Sequence, residues 1–242
     1  MVAPIKKSVI PVTYKLDVDF QVMLHTSWLQ HLNPILTSPY MRNMMVFLNE
    51  IYKVSYVTPK KEDIFKPFKV TNFKDVRVVI LTDEPYHNSN ANGLALGNQN
   101  DVLALSKDAE VMRTCIEDTC YEGFRIDHDY SLESWAEQGV LLLNSAFTYI
   151  DTEEYDTYSL WRNFTRQIIK LINDEHTGVS FLFLGNRARY FNKFVNPKIH
   201  HKFEFETPYD AYSENRKWKC PHFDIINDKI EEANGGSFCI DW

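Results

Sequence analysis

The chain has 242 residues and a mass of 28.5 kDa, enough for one sizeable core or one large domain with an extension. Hydrophobic residues make up 44% and charged residues 24%, which excludes a disordered or collagen-like chain, and 8 Gly with 10 Pro imply no long flexible linker. Lys plus Arg is 26 against 33 Asp plus Glu, a formal charge of -7, which excludes a broad phosphate-gripping surface and leaves any nucleic-acid contact local.

The N-terminus carries Lys6 and Lys7 with no apolar block behind them, so a secretory signal is not expected. No apolar stretch is long enough to span a bilayer, and no membrane partner is expected. Residues 12 to 20 alternate: Val12, Tyr14, Leu16, Val18 and Phe20 face one way and polar residues the other, the pattern of a half-buried strand. This strand belongs to an N-terminal extension over 1–24, ahead of the main domain over 25–242. It either adds to an edge of the chain's own sheet or pairs with another chain, making a homo-oligomer or binding a protein partner. A helical region follows from about Trp28 to Tyr52, its first half broken by Pro34 and Pro39.

Three dense apolar runs come next, Val76–Leu81, Val140–Leu143 and Val179–Leu184, with a more alternating run over Ile199–Phe205. The first three read as strands buried on both faces. A helix between the second and third runs has Leu160, Phe164, Ile168 and Ile172 on one face and Ser159 as N-cap, and a last helix runs from about Phe223 to Glu232. Strands alternating with helices give an α/β protein, a three-layer α/β/α arrangement on a central four-stranded, largely parallel sheet. In such sheets the working loops lie beyond the carboxyl ends of the strands. The four cysteines, Cys115, Cys120, Cys220 and Cys239, suggest no disulfide framework and fit an intracellular, reducing compartment, cytoplasmic or nuclear. Cys115 and Cys120 followed by His128 have poor spacing for zinc; buried thiols are the simpler reading, and no metal is expected.

The four strand-end loops read Thr82-Asp83-Glu84-Pro85-Tyr86-His87, Asn144-Ser145, Gly185-Asn186-Arg187 and Glu206-Thr207-Pro208-Tyr209-Asp210. With S-W-A-E-Q-G-V-L-L-L-N over Ser134 to Asn144, C-P-H-F over Cys220 to Phe223 and a terminal Ile240-Asp241-Trp242, the chain resembles the family-1 uracil-DNA glycosylases from about Trp28 onward. That family carries G-Q-D-P-Y-H, G-V-L-L-L-N, W-G-S and H-P-S-P-L-S at the corresponding places.

The resemblance implies a role for each position. The family's water-positioning Asp falls on Glu84, one methylene longer, and its catalytic His falls on Thr207, a shorter group that costs an oxyanion donor. Base-binding positions fall on Asp83, on Tyr86 (the residue that excludes thymine's methyl), on Asn144 (which reads the uracil edge) and on Leu96, where the family stacks a Phe. DNA-binding positions fall on Ser106, Gly185, Asn186, Ala211 and Tyr212, with Ala211 in place of an intercalating Leu. Asp151, Glu153, Glu154 and Asp156 put like charge near the phosphate track. Read without the resemblance, Asn144 equally satisfies loop backbone, Tyr86 and His87 equally pack, and Glu84 is equally a solvated loop charge.

Altered catalytic and DNA-facing loops on a retained scaffold lead to an expectation of weak or lost uracil excision. The chain then binds nucleic acid, uracil-containing or single-stranded and weakly, or a protein partner. The alternative is an active divergent glycosylase in which Glu84 positions water. Neither reading requires a cofactor.

Overall fold

The computed structural model describes residues 19–88, 90–99 and 130–242. Most of the strand expected at the N-terminus, and Ser106, Cys115, Cys120 and His128, therefore lie outside the described residues. The last residue of that alternating run, Phe20, is helical rather than extended. Asp19 is the N-cap of α1 (Phe20–Met23), its carboxylate accepting the Gln21 N–H at 2.9 Å. The Phe20 ring meets Phe65 edge-on at 5.5 Å, so α1 packs against the start of the fourth helix region.

Two helices follow, α2 (Thr26–Leu36) and α3 (Pro39–Val54). Pro34 does not break the first of them. It lies in the last turn, where it removes one intrahelical bond, and α2 ends two residues later. Pro39 starts α3 rather than interrupting a helix: it occupies the first position, where an N–H has no partner to lose, behind Ser38, whose hydroxyl accepts the Met41 N–H.

The chain continues through β1 (Val57–Thr58), α4 (Lys66–Val70), β2 (Val78–Thr82), α5 (Glu133–Glu137), β3 (Val140–Asn144) and β4 (Tyr149–Ile150). Then come α6 (Thr157–Glu175), β5 (Ser180–Leu184), α7 (Asn186–Arg189), β6 (His201–Phe205), α8 (Pro208–Ser213) and α9 (His222–Asn234). Asp156, not Ser159, holds the cap position of α6. Ser159 lies inside the first turn and donates its hydroxyl to Asp156 Oδ2 at 2.6 Å.

Strands β3, β2, β5 and β6 form one sheet in that order, every pair parallel. Alternate residues of β2, β3 and β5 enter opposite cores. Val79, Leu81, Leu141, Leu143, Phe181 and Phe183 join Trp28, Phe68 and Phe164 from α2, α4 and α6, and Phe65 at the cap of α4. Val78, Ile80, Val140, Leu142, Leu182 and Leu184 join Trp135, Trp218, Phe223 and Trp242 on the other face. A strand buried on both faces has no polar side to show, which is why these runs read as continuously apolar.

The motifs that carry the resemblance most clearly belong to this second core. Trp135 meets Trp242 edge-on at 5.1 Å, and Trp242 meets Phe223 at 4.9 Å. The Gln138 amide accepts the Asp241 N–H at 2.8 Å and donates to the Asp241 carbonyl at 3.1 Å, pinning the chain end to α5. Separately, β1 and β4 pair antiparallel in a two-residue ladder too short to leave a periodic signal in the sequence.

Candidate active site

The chain runs from β2 to β3 on one side and then crosses to β5 on the other, so the β2 and β5 loops leave the sheet in opposite directions. Between such strands a crevice opens at their carboxyl ends. Here it is a cleft of about 460 Å³ lined by the β2 loop from Thr82 to Asn88, by Leu94 and Leu96, and by Thr207 to Asp210 at the start of α8.

Glu84 is held from two sides. Its Oε2 accepts from Arg187 Nη1 at 2.7 Å and its Oε1 is paired with His87 Nε2 at 2.9 Å. Burial alone would push the carboxyl up, but the His87 hydrogen bond and the Arg187 charge outweigh it and hold Glu84 below the usual carboxylate range. His87 is braced in turn by a flat stack on Tyr149 of β4, the ring centroids 3.7 Å apart.

Asp83 turns away from Glu84 and into the β5 loop. Its Oδ1 accepts the Ala188 N–H at 2.9 Å. Gly185 has φ +93°, and a Cβ there would lie 2.7 Å from that same carboxylate, so the close approach requires glycine. Burial raises the Asp83 carboxyl, opposed by the Ala188 and Arg187 backbone N–H groups.

Tyr86 is fixed at both ends. Its carbonyl accepts from Thr58 Oγ1 of β1 at 2.7 Å, and its phenol donates to the Leu96 carbonyl at 2.9 Å. Leu96 sits at φ 64°, a left-handed conformation uncommon for a residue with a side chain. Asn144 ends β3 opposite Thr82 in the register and is buried, with its Oδ1 accepting from Thr82 Oγ1.

Thr207 N-caps α8 in a capping box: its Oγ1 accepts the Asp210 N–H at 3.1 Å and donates to Asp210 Oδ2 at 2.8 Å. Its hydroxyl proton is therefore already taken by Asp210.

No protein-family model matches the chain. Individual proteins do. It is 33% identical over 215 residues to a uracil-DNA glycosylase of Aliivibrio salmonicida, covering 87% of this chain and 95% of that one. It is 35% identical over 188 residues to that of Escherichia coli, covering 77% and 80%. The chain belongs to the uracil-DNA glycosylase family. Among solved structures, mimivirus uracil-DNA glycosylase shares the fold, with a TM-score of 0.80 at 21% identity over 94% of this chain and 90% of that one. A uracil-DNA glycosylase of Nitratifractor salsuginis gives 0.56 at 18% over 89% and 94%.

Against the family's motif positions, Asp83, Glu84, Tyr86, Leu96 and Thr207 all line the one cleft. Asn144 is bonded to Thr82 of its lining, and Gly185 backs Asp83. Asn186 opens α7, its Oδ1 accepting weakly from Arg189 at 3.4 Å. Ala211 is not a shortened wedge at the surface: its methyl is fully buried in the second core, because this face of the six-residue α8 turns inward. The exposed rings of that helix are Tyr209, 61% exposed, and Tyr212, 43% exposed, with centroids 6.4 Å apart. The acidic stretch is partly tied down, Asp151 accepting from the Tyr149 phenol and Asp156 from Ser159.

Motif matching does not single out Arg187, Thr82, Tyr149 or Tyr209 as site residues. A cation two residues beyond Gly185 at a strand's carboxyl end is a usable signal for Arg187. Thr82, where the family motif has Gly, is another. Tyr149 is invisible until β4 pairs with β1. Among the described residues no group of His, Cys, Asp and Glu is arranged to hold a metal, and no helix is long and apolar enough to cross a membrane.

Proposed function

We propose that this chain is a divergent DNA glycosylase that hydrolyses the N-glycosidic bond of uracil or a modified base in DNA. The observation that carries this reading is the Glu84 carboxylate. It sits in the cleft at the carboxyl end of the central strand, part-buried and kept ionised by Arg187 and His87.

A glycosylase must take its base out of the stack before the chemistry begins. In the cleft the bond between C1′ of the sugar and the base nitrogen breaks, and the electron pair leaves with the base. Water then bonds to the electron-poor C1′ and gives up a proton, for which Glu84 is the acceptor in place. Tyr86, locked to the Leu96 carbonyl, presents a fixed ring edge against which a 5-methyl group would clash. Asn144, its Oδ1 engaged by Thr82, has its amide N–H groups left for a carbonyl on the base edge. Leu96 gives an apolar but non-aromatic face for the base. The polar backbone of Gly185 and Asn186, with Ser106, Tyr209 and Tyr212, would meet the DNA strand; the net charge of -7 makes that grip weak at physiological salt.

A second reading, a nucleic-acid- or protein-binding module with little excision, is favoured by one observation: the Thr207 hydroxyl, where the family has an imidazole, is closed into a capping box. One experiment separates the two. Single- and double-stranded uracil oligonucleotides are incubated with the full chain at low salt, and abasic-site formation and band shift are scored in parallel. Cleavage that disappears in Glu84→Ala supports the glycosylase. A band shift without cleavage supports the module, and neither signal points to a protein partner.

A further inference from the structure

We propose that Arg187 is a positioning residue for the hydrolytic carboxylate: its guanidinium, acting with the His87 ring, clamps Glu84 in the one orientation over the cleft from which it can hold water. This rests on the glycosylase reading above.

The need for a clamp follows from the side chain. Glu has one more rotatable bond than the Asp of the family motif, so an unrestrained Glu84 carboxylate sweeps a larger volume and meets a water in the right place less often. The structure supplies what the longer stem lacks. Arg187 Nη1 holds Oε2 at 2.7 Å while His87 Nε2 holds Oε1 at 2.9 Å, one donor on each oxygen. Each oxygen keeps a second lone pair, so a water can still bind.

Both donors are braced from behind. His87 lies flat on Tyr149 at 3.7 Å, and the Arg187 guanidinium sits over the Tyr158 ring at 5.5 Å. Arg187 itself starts from a fixed point, because Asp83 accepts the N–H of the next residue, Ala188, beside the glycine that lets the two loops touch. The same guanidinium also faces Asp83 and Asp156. A cation surrounded by three carboxylates is poorly placed to serve as a phosphate contact, and this favours the clamp over a DNA-gripping role. The ionisable groups facing Glu84 are Arg187, His87, Asp83 and Tyr149, and Arg187 is the one permanent cation among them.

The test is a double-mutant cycle in the full chain. Single-turnover uracil excision and its half-saturating DNA concentration are measured for wild type, Arg187→Gln, Glu84→Asp and the double variant. Arg187→Lys serves as the conservative control, and a melting curve is recorded for each protein. Arg187→Gln should slow excision about tenfold with half-saturation unchanged, and Arg187→Lys should recover part of the loss. In the Glu84→Asp background the shorter carboxylate falls away from the guanidinium, so Arg187→Gln should change the rate less than about twofold. An equal loss in both backgrounds, or a loss confined to half-saturation, overturns the clamp and makes Arg187 a DNA contact.

A second readout does not need turnover. Carbon-detected NMR of the free protein follows the Glu84 carboxyl, whose midpoint should rise in Arg187→Gln as the neighbouring cation is removed. If wild type excises nothing but the midpoint moves, the glycosylase reading fails and the clamp stands as the device that fixes this carboxylate. An unmoved midpoint overturns the clamp.

Discussion

Two regions of the molecule, the core on one face of the sheet and the loops at the carboxyl ends of the strands, are held together in different ways. In that core, α5 and the chain terminus are joined by shape: Trp135, Phe223 and Trp242 interlock as rings, and Gln138 closes both backbone bonds of Asp241. At the carboxyl ends of the strands, the β2 and β5 loops are joined by Asp83 to Ala188 and Glu84 to Arg187, while Glu84–His87 and the Thr207–Asp210 cap each brace a loop from within. Ring packing tolerates little change in volume, since any lost group leaves a cavity. A hydrogen-bonded loop can exchange one partner for another. The packed region carries the motif residues of the resemblance, while the cleft holds Thr82, Glu84 and Thr207 where the resemblance puts Gly, Asp and His, each bonded to a partner of its own.

The largest expected difference between the two regions is in stability. Trp135→Ala should cost about 3–5 kcal/mol in urea unfolding, because a fully packed ring leaves a cavity against Trp242 and Phe223. Glu84→Gln should leave the urea midpoint within about 0.5 kcal/mol of wild type at pH 7 while excision falls by about two orders of magnitude. Equal losses of stability in the two variants would remove the distinction between packed scaffold and adaptable cleft.

The next effect is on rate. With no imidazole at Thr207, uracil excision by the wild-type chain should run about 10²–10³ below a family member that has one. Combining Glu84→Asp with Thr207→His should recover at least about tenfold if the rest of the cleft is intact. Near-normal turnover by wild type would show that another donor already serves the leaving base.

These contrasts explain what could be read from the chain alone. The three buried strands and their parallel order follow from runs that are apolar on both faces, and the packed region carries a motif of eleven residues, Ser134 to Asn144. The positions lining the cleft were legible for the same reason, since they sit at fixed offsets from those strands. What the side chains do there was not. Ala211 matches the wedge position in sequence, but α8 turns its methyl inward and leaves Tyr209 and Tyr212 outside. Thr207 matches a catalytic position, but Asp210 three residues on makes it a cap. The Glu84–Arg187 pair spans 103 residues and depends on a glycine that lets two loops touch, so no local pattern announces it.

A smaller effect tests the Thr207 assignment directly. Thr207→Ala removes the side-chain half of the α8 cap and should cost about 1 kcal/mol. Excision should change less than about threefold, because the hydroxyl proton already belongs to Asp210. A loss of two orders of magnitude with the fold intact would make that hydroxyl part of the chemistry after all.

The smallest effect is in acid, and here the two neighbouring carboxylates pull in opposite directions. Glu84 lies below its ordinary value in the folded chain. Its pairing therefore contributes stability that is fully present above the unfolded value of about 4.3, and is lost as pH falls through the lower folded value. Asp83 lies above its ordinary value, so its ionisation opposes folding at neutral pH, and stability is regained as pH falls through the raised value toward the unfolded one, about 3.9. Each contribution is under about 1 kcal/mol, since both groups are only part-buried and solvent screens them. Urea midpoints at pH 7, 5, 4 and 3.5 resolve the pair by difference. The gap between wild type and Glu84→Gln should narrow toward pH 3.5, as the wild-type ion pair with Arg187 is lost. The gap between wild type and Asp83→Asn should move the other way, in favour of wild type, because protonating Asp83 relieves what the amide relieves at every pH. Two parallel curves would mean that neither carboxylate differs from its unfolded state, and that Arg187 touches Glu84 without holding it.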